Sequence, residues 1–124
     1  MSENRAVWFK VHHAGRVGTT NVWASSPLEV DATRTYNYTI PSCIAAGSYI
    51  VRHEVLGLHA AWELNKAQFY PSCHQIKVTG TGTSTGPSAK VAFPGAYKNT
   101  DPGIKYDMYQ ATTYTIPGPA VFTC

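Results

Sequence analysis

The chain has 124 residues, about one domain's worth, and it carries 44% hydrophobic against 14% charged residues, which excludes a disordered polymer. Ten Lys and Arg against seven Asp and Glu leave a net charge of +3 with no basic run, so the concentrated cationic patch of a nucleic-acid binder is missing. The longest apolar stretches fall far short of the ~20 residues that span a bilayer, so no membrane association through a helix is expected.

Eight Tyr, three Trp, eight Pro and ten Gly, with abundant Thr, favour strands and tight turns over helices. The opening Met1-Ser-Glu-Asn-Arg-Ala6 has neither the charged start nor the apolar stretch of a secretory signal, as in a mature or partial chain. Ala6-Val-Trp-Phe-Lys-Val11 predicts a first strand, closed by a turn at Ala14-Gly15 and Val17-Gly18. Asn21–Ala24 is short and apolar, and Ser25-Ser-Pro27 breaks it. Thr33 to Ile40 alternates as a strand does, and it carries the sequon Asn37-Tyr-Thr39, of consequence only in a secreted chain. After the connection Pro41–Gly47 comes the longest strand candidate, Ser48–Ala61, and then a second from Phe69 to Val78. Thr79–Ser88 is almost wholly Gly, Ser, Thr and Pro and predicts a long hairpin loop. Val91–Phe93 and Tyr114–Ile116 are brief strands among the turn signals Pro94-Gly95, Asp101-Pro-Gly103 and Pro117-Gly118-Pro119. Short strands with a turn cue every 8–12 residues indicate a single antiparallel sandwich or barrel over residues 1–124.

The five histidines are the first place to look for a metal or a base. His12 and His13 are adjacent and would point to opposite faces of a strand. His53 and His59 share a face but lie six residues apart, roughly 20 Å, too far for one ion. His74 follows Cys73 and has no partner at a ligand spacing. Spacing therefore assembles no metal site from His12, His13, His53 or His74. More suggestive is the set His59, Gln68 and Tyr70, since Gln68 and Tyr70 share a strand face and a hairpin brings His59 to them. Such a cluster either braces the two strands or holds an oxygen-bearing ligand, and spacing does not separate the two. Cys43, Cys73 and Cys124 make an odd count, read either as buried small hydrophobes or as one pair plus a free thiol. No CxxC spacing is present for a thiolate zinc site.

Gly47-Ser-Tyr-Ile-Val-Arg-His-Glu-Val-Leu-Gly-Leu-His59, followed by Ala67-Gln-Phe-Tyr-Pro-Ser-Cys73, closely resembles the fungal lytic polysaccharide monooxygenases of auxiliary activity family nine, formerly glycoside hydrolase family sixty-one. Phe93-Pro-Gly-Ala-Tyr97, Asp101-Pro-Gly-Ile104 and Tyr114–Phe122 continue the match, as do Val7–Lys10, Val22–Ala24 and Thr39–Pro41 upstream. The resemblance implies an all-β fold, an antiparallel immunoglobulin- or fibronectin-III-like β-sandwich, incomplete because the match begins about halfway through the family domain. It implies a secreted, extracellular copper enzyme that cleaves cellulose or a related β-glucan oxidatively. Carried over by motif, Tyr70 resembles the axial tyrosine at the copper, and His59 and Gln68 the pair that hydrogen-bonds the oxygen species. Tyr109 resembles an aromatic on the cellulose-facing surface, where a ring stacks on sugar faces. The chain opens with Met1 where the family has its histidine, and both copper-gripping histidines fall in the family's other half. Weak Cu(II) binding is therefore expected, and whether the chain is itself an enzyme stays open. Cys73 resembles a family cysteine whose partner also lies in that other half, which implies a disulfide between Cys43 and Cys124. Strands stripped of their cover would expose apolar faces and edges and favour self-association. The alternative function is a non-catalytic cellulose-binding or cellulose-loosening protein.

Overall fold

The computed structural model describes residues 5–124, so the reading of the first residues as lacking a secretion signal falls largely outside the described part. Its centre is one antiparallel hairpin, β1 (Gly47–Gly57) and β2 (Gln68–Val78), paired residue for residue from Gly47 opposite Val78 to Gly57 opposite Gln68. β1 is rich in the β-favouring residues Tyr49, Ile50, Val51 and Val55, and the register fixes which side chains share a face. Arg52, Glu54, Leu56 and Phe69 lie on one face. Val51, His53, Val55, Tyr70 and His74 lie on the other.

The first face is covered by the segment around the Phe93–Pro94 bond, whose peptide is cis. Phe69 stacks on Tyr97 at 5.6 Å between ring centroids, and Phe93 meets Tyr97 edge-on. Arg52 pairs with Glu54 and lies over the Phe93 ring, 4.0 Å from its centroid. Tyr97 donates its hydroxyl hydrogen to Glu54 Oε1 at 2.9 Å, and burial first, then the Glu54 charge, holds its phenol well above the usual range.

The strand expected over 48–61 stops at Gly57 because Leu58 and Ala61 turn inward. Both are buried, with Ile44 and Ile104, and the Ala61 N–H closes a turn on the Leu58 carbonyl at 3.0 Å. The Tyr106 N–H then bonds the Ala61 carbonyl at 2.9 Å and ties this turn to the C-terminal third.

Several expected strands are reduced to single bridges. Residues 6–11 contribute Trp8 opposite Val91 and Lys10 opposite Val121, and residues 21–24 contribute Trp23 opposite Arg16. Residues 33–40 and 114–116 form no ladder, although the first alternates cleanly. A strand requires a neighbour to accept its N–H groups, and no strand runs beside 33–40 among the described residues. Ser25-Ser-Pro27, read as a breaker, instead opens the short helix α1 (Ser26–Val30), with proline in the first turn where its missing N–H costs nothing. The stretch 79–88 is not a free hairpin loop. Ser84 bridges Ile44 in parallel, exchanging bonds with Ala45 and Cys43 at 2.8 Å. Gly82 permits this approach, since a Cβ there would stand 2.3 Å from the Ile44 carbonyl oxygen. Cys43 and Cys124 are joined by a disulfide beside this bridge, and Cys73 is a free, exposed thiol. The architecture is all-β around an antiparallel sheet, with the isolated bridges at Lys10 and Ile44 parallel, and no helix among the described residues is long and apolar enough to cross a membrane.

Candidate functional site

At the loop end of the hairpin the pairing of Gly57 with Gln68 brings the turn after β1 against the start of β2. Leu58 and Ala61 face inward there, so His59 is pushed outward, onto the face that carries Gln68 and Tyr70. Gln68 Nε2 lies 3.1 Å from His59 Nε2, and Tyr70 donates its hydroxyl hydrogen to Gln68 Oε1. With the Gln68 amide donating, His59 must keep Nε2 unprotonated and carry its hydrogen on Nδ1. Polarity therefore runs one way, from Tyr70 through Gln68 to His59. Gly57 makes room for the group: a Cβ there would meet a Tyr70 ring carbon at 3.2 Å and His59 Nδ1 at 3.5 Å.

Tyr109 approaches from the far end of the chain. Its N–H is held by Asp107 Oδ1 at 3.0 Å, and its hydroxyl donates to the His59 backbone carbonyl at 2.9 Å. The four residues expected at the site thus form one connected group, all exposed, with Tyr70 and Tyr109 at 56% and 66%. None of them lines either principal groove. One groove lies along Arg52, Glu54, Phe69 and Tyr97, the other along Val91, Asp101 and residues 115–119. The site is an open surface suited to an extended or insoluble ligand rather than to an enclosed small molecule.

Reasoning from spacing missed three features. Asp107, which sets the Tyr109 backbone, has no periodic signal. Gly57 would have been found only by asking what fills the space beneath Tyr70. The third is a pair of imidazoles: the register sets His53 opposite Ser72, next to His74 on the same face, and their ring centroids are 6.0 Å apart.

An all-β hairpin with an exposed His–Gln–Tyr chain and a tyrosine beside it now has a family. Residues 1–115 match the model of Auxiliary Activity family 9, formerly GH61, and the chain belongs to that family. It is 69% identical over 119 residues to AA9 family lytic polysaccharide monooxygenase F of Botryotinia fuckeliana, covering 96% of this chain and 47% of that protein. It is 51% identical to AA9 family lytic polysaccharide monooxygenase B of Malbranchea cinnamomea, over 95% of this chain and 47% of that one. Among solved structures it is similar to Cel61B, a glycoside hydrolase family 61 member of Hypocrea jecorina, with a TM-score of 0.85 and 41% identity over 95% of this chain and 51% of that one. The chain therefore spans about half the length of these relatives. At the level of the family, the activity is oxidative cleavage of polysaccharide by secreted, copper-dependent enzymes.

The residues around Tyr70 do not by themselves fit a copper ion. The donor there is one phenol oxygen, whose hydrogen goes to Gln68, and the hydrogen-bond chain sets Gln68 between it and the His59 imidazole. Among the described residues no three His, Cys, Asp or Glu side chains gather to hold a metal. Copper is suited by several imidazole or amine nitrogens, which this group lacks.

Proposed function

We propose that this chain forms the hydrogen-bonding and substrate-facing part of a family 9 oxidative site acting on cellulose or a related β-1,4-glucan outside the cell. The observation that carries the reading is the connected group His59–Gln68–Tyr70 with Tyr109 on the His59 carbonyl, exposed and outside the two grooves described above. In this reading His59 and Gln68 supply hydrogen bonds to an oxygen-bearing ligand set beside Tyr70. Tyr70 would offer its phenol oxygen to the family's copper ion, which would supply the oxidative chemistry, and Tyr109 lies against the apolar face of a sugar ring. The imidazole and amine ligands of the family's copper site come from residues other than those in this chain, so the chain alone binds copper at Tyr70 weakly.

A second reading, non-catalytic cellulose binding or loosening, is favoured by the exposure of Trp62 at 50%, three residues beyond His59. Retention on microcrystalline cellulose, with Tyr109→Ala alongside, and release of oxidised oligosaccharides in the presence of Cu(II), reductant and peroxide test both. Retention that falls in the variant, with no oxidised product, is the expected result. Product from the chain alone would overturn the placing of the copper ligands elsewhere. No retention would remove cellulose as the partner under either reading.

The chain also self-associates in this proposal. Residues 68–75 of β2 are exposed throughout, and β2 pairs on one side only among the described residues. A monodisperse monomer in sedimentation velocity would rule that out.

A further inference from the structure

His53 and His74 are brought together by the hairpin register, on neighbouring strands and on the same open face. Both are exposed, with ring centroids 6.0 Å apart and planes inclined by 45°. A metal–nitrogen bond is about 2.0–2.1 Å, which places a ring centroid roughly 3.2 Å from a bound ion, so one ion between two rings accounts for up to about 6.4 Å. The observed separation fits a single ion gripped from both sides.

The surroundings prepare one ring for this. The Tyr38 hydroxyl stands 2.9 Å from His74 Nε2. When His74 donates Nε2–H to that oxygen, the tautomer is fixed and the Nδ1 lone pair is left for a ligand, the arrangement that orients metal-bound histidines generally. Neither ring nitrogen of His53 has a hydrogen-bond partner among the described residues. Among the described residues no third His, Cys, Asp or Glu joins the pair, so water would complete the coordination of a bound ion.

We infer that His53 and His74 form a two-imidazole surface chelate for a borderline divalent transition-metal ion, with Tyr38 as the residue that positions His74. Cu(II) is the tightest-held ion of the series at a nitrogen site of this kind, ahead of Ni(II) and Zn(II). The site is separate from the His59–Gln68–Tyr70 group. Tyr70 and His74 are four residues apart on β2, roughly 13 Å along the strand. The inference therefore does not depend on the function proposed above.

The test is calorimetric titration of metal-stripped protein with Cu(II), accompanied by electron paramagnetic resonance of the loaded protein. Wild type, His53→Gln, His74→Gln, Tyr38→Phe and Tyr70→Phe are compared. The expected signature is one ion per chain with nitrogen hyperfine structure from two imidazoles. His53→Gln and His74→Gln each weaken binding by at least the roughly 10–100-fold that losing a ligand's hydrogen-bond partner costs, and each removes one nitrogen from the spectrum. Tyr38→Phe weakens binding less and keeps both nitrogens, whereas Tyr70→Phe leaves affinity unchanged. Binding that survives in both histidine variants, that is lost in Tyr70→Phe, or that is absent from wild type overturns the assignment. Both histidines are exposed, and an unchanged circular dichroism spectrum for each variant separates loss of a ligand from loss of fold.

Discussion

The two faces of the β1–β2 hairpin are made by alternate residues of the same two strands, yet they are physically unlike. Arg52, Glu54 and Phe69 are locked to the segment 93–97 by an ion pair, a cation–π contact, ring stacking and the Tyr97 hydrogen bond. One residue along, His53 and Val55 are exposed, and His74 is held on that face by one hydroxyl from the segment 33–40. Alternation therefore divides chemistry from anchorage within one element. Substitutions on the locked face should cost stability, and those on the open face should cost binding.

The largest stability effect is expected outside both faces, where the Cys43–Cys124 disulfide holds the approach to β1 against the chain end across 81 residues. A loop that long corresponds to up to about 4.5 kcal/mol of unfolded-state restriction. Paired Cys43→Ser and Cys124→Ser substitution, or reduction, should lower the urea midpoint accordingly. A loss under about 1 kcal/mol would show that the bridge at Ser84 holds this region unaided.

Glu54→Ala comes next. Its side chain is 8% exposed, and its removal strands the Arg52 guanidinium at 16% exposure and leaves the Tyr97 hydroxyl without an acceptor. Breaking a buried pair from one side costs about 3 kcal/mol. His53→Ala, one residue earlier on the open face, should stay within about 0.5 kcal/mol of wild type. Equal losses in the two variants, read by equilibrium urea unfolding, would abolish the distinction between the faces.

Gly57→Ala tests the junction of the two regions. The added methyl stands 3.2 Å from a Tyr70 ring carbon, so the ring must give by a few tenths of an ångström, which disturbs its bond to Gln68. The stability cost is about 1 kcal/mol, near the lower end for overpacking, because an exposed ring has room to move. The sharper readout is the Tyr70–Gln68–His59 chain: the His59 ring resonances should shift, while those of Tyr97 on the opposite face stay in place.

The contrast also explains how much was legible beforehand. The hairpin was legible because 48–61 and 69–78 are long runs without a breaking turn signal, although the stop of β1 at Gly57 was not. The alternation in residues 33–40 misled, because periodicity records which side a residue takes and not whether a neighbour exists to bond the backbone. His59, Gln68 and Tyr70 lie close in sequence, so a hairpin alone gathers them. Tyr109 reaches the His59 carbonyl from 50 residues away, and the motif resemblance, not spacing, pointed to it. The His53–His74 pair was illegible for a third reason. It depends on the register, and one residue of slip would place the rings on opposite faces.

The smallest expected effect is a pH dependence away from the hairpin. Lys10 Nζ bonds the Pro117 carbonyl at 2.7 Å and lies 3.2 Å from His13 Nδ1, so the ammonium donates to the lone pair of a neutral imidazole. Partial burial, then the Lys10 charge and then His12, hold the His13 imidazole below its usual value. A histidine with a folded-state pKa below its unfolded value favours folding most when neutral. Its contribution is therefore complete above the unfolded value of about 6.5 and is lost as pH falls through that value toward the folded one. Protonation would abolish the acceptor for Lys10 and set two cations side by side. Because His13 is exposed, the loss stays under about 0.5 kcal/mol. Urea midpoints should decline gently from pH 7 to pH 5, and His13→Gln, which cannot charge, should flatten that decline. A slope that persists in His13→Gln would assign the pH response to another group.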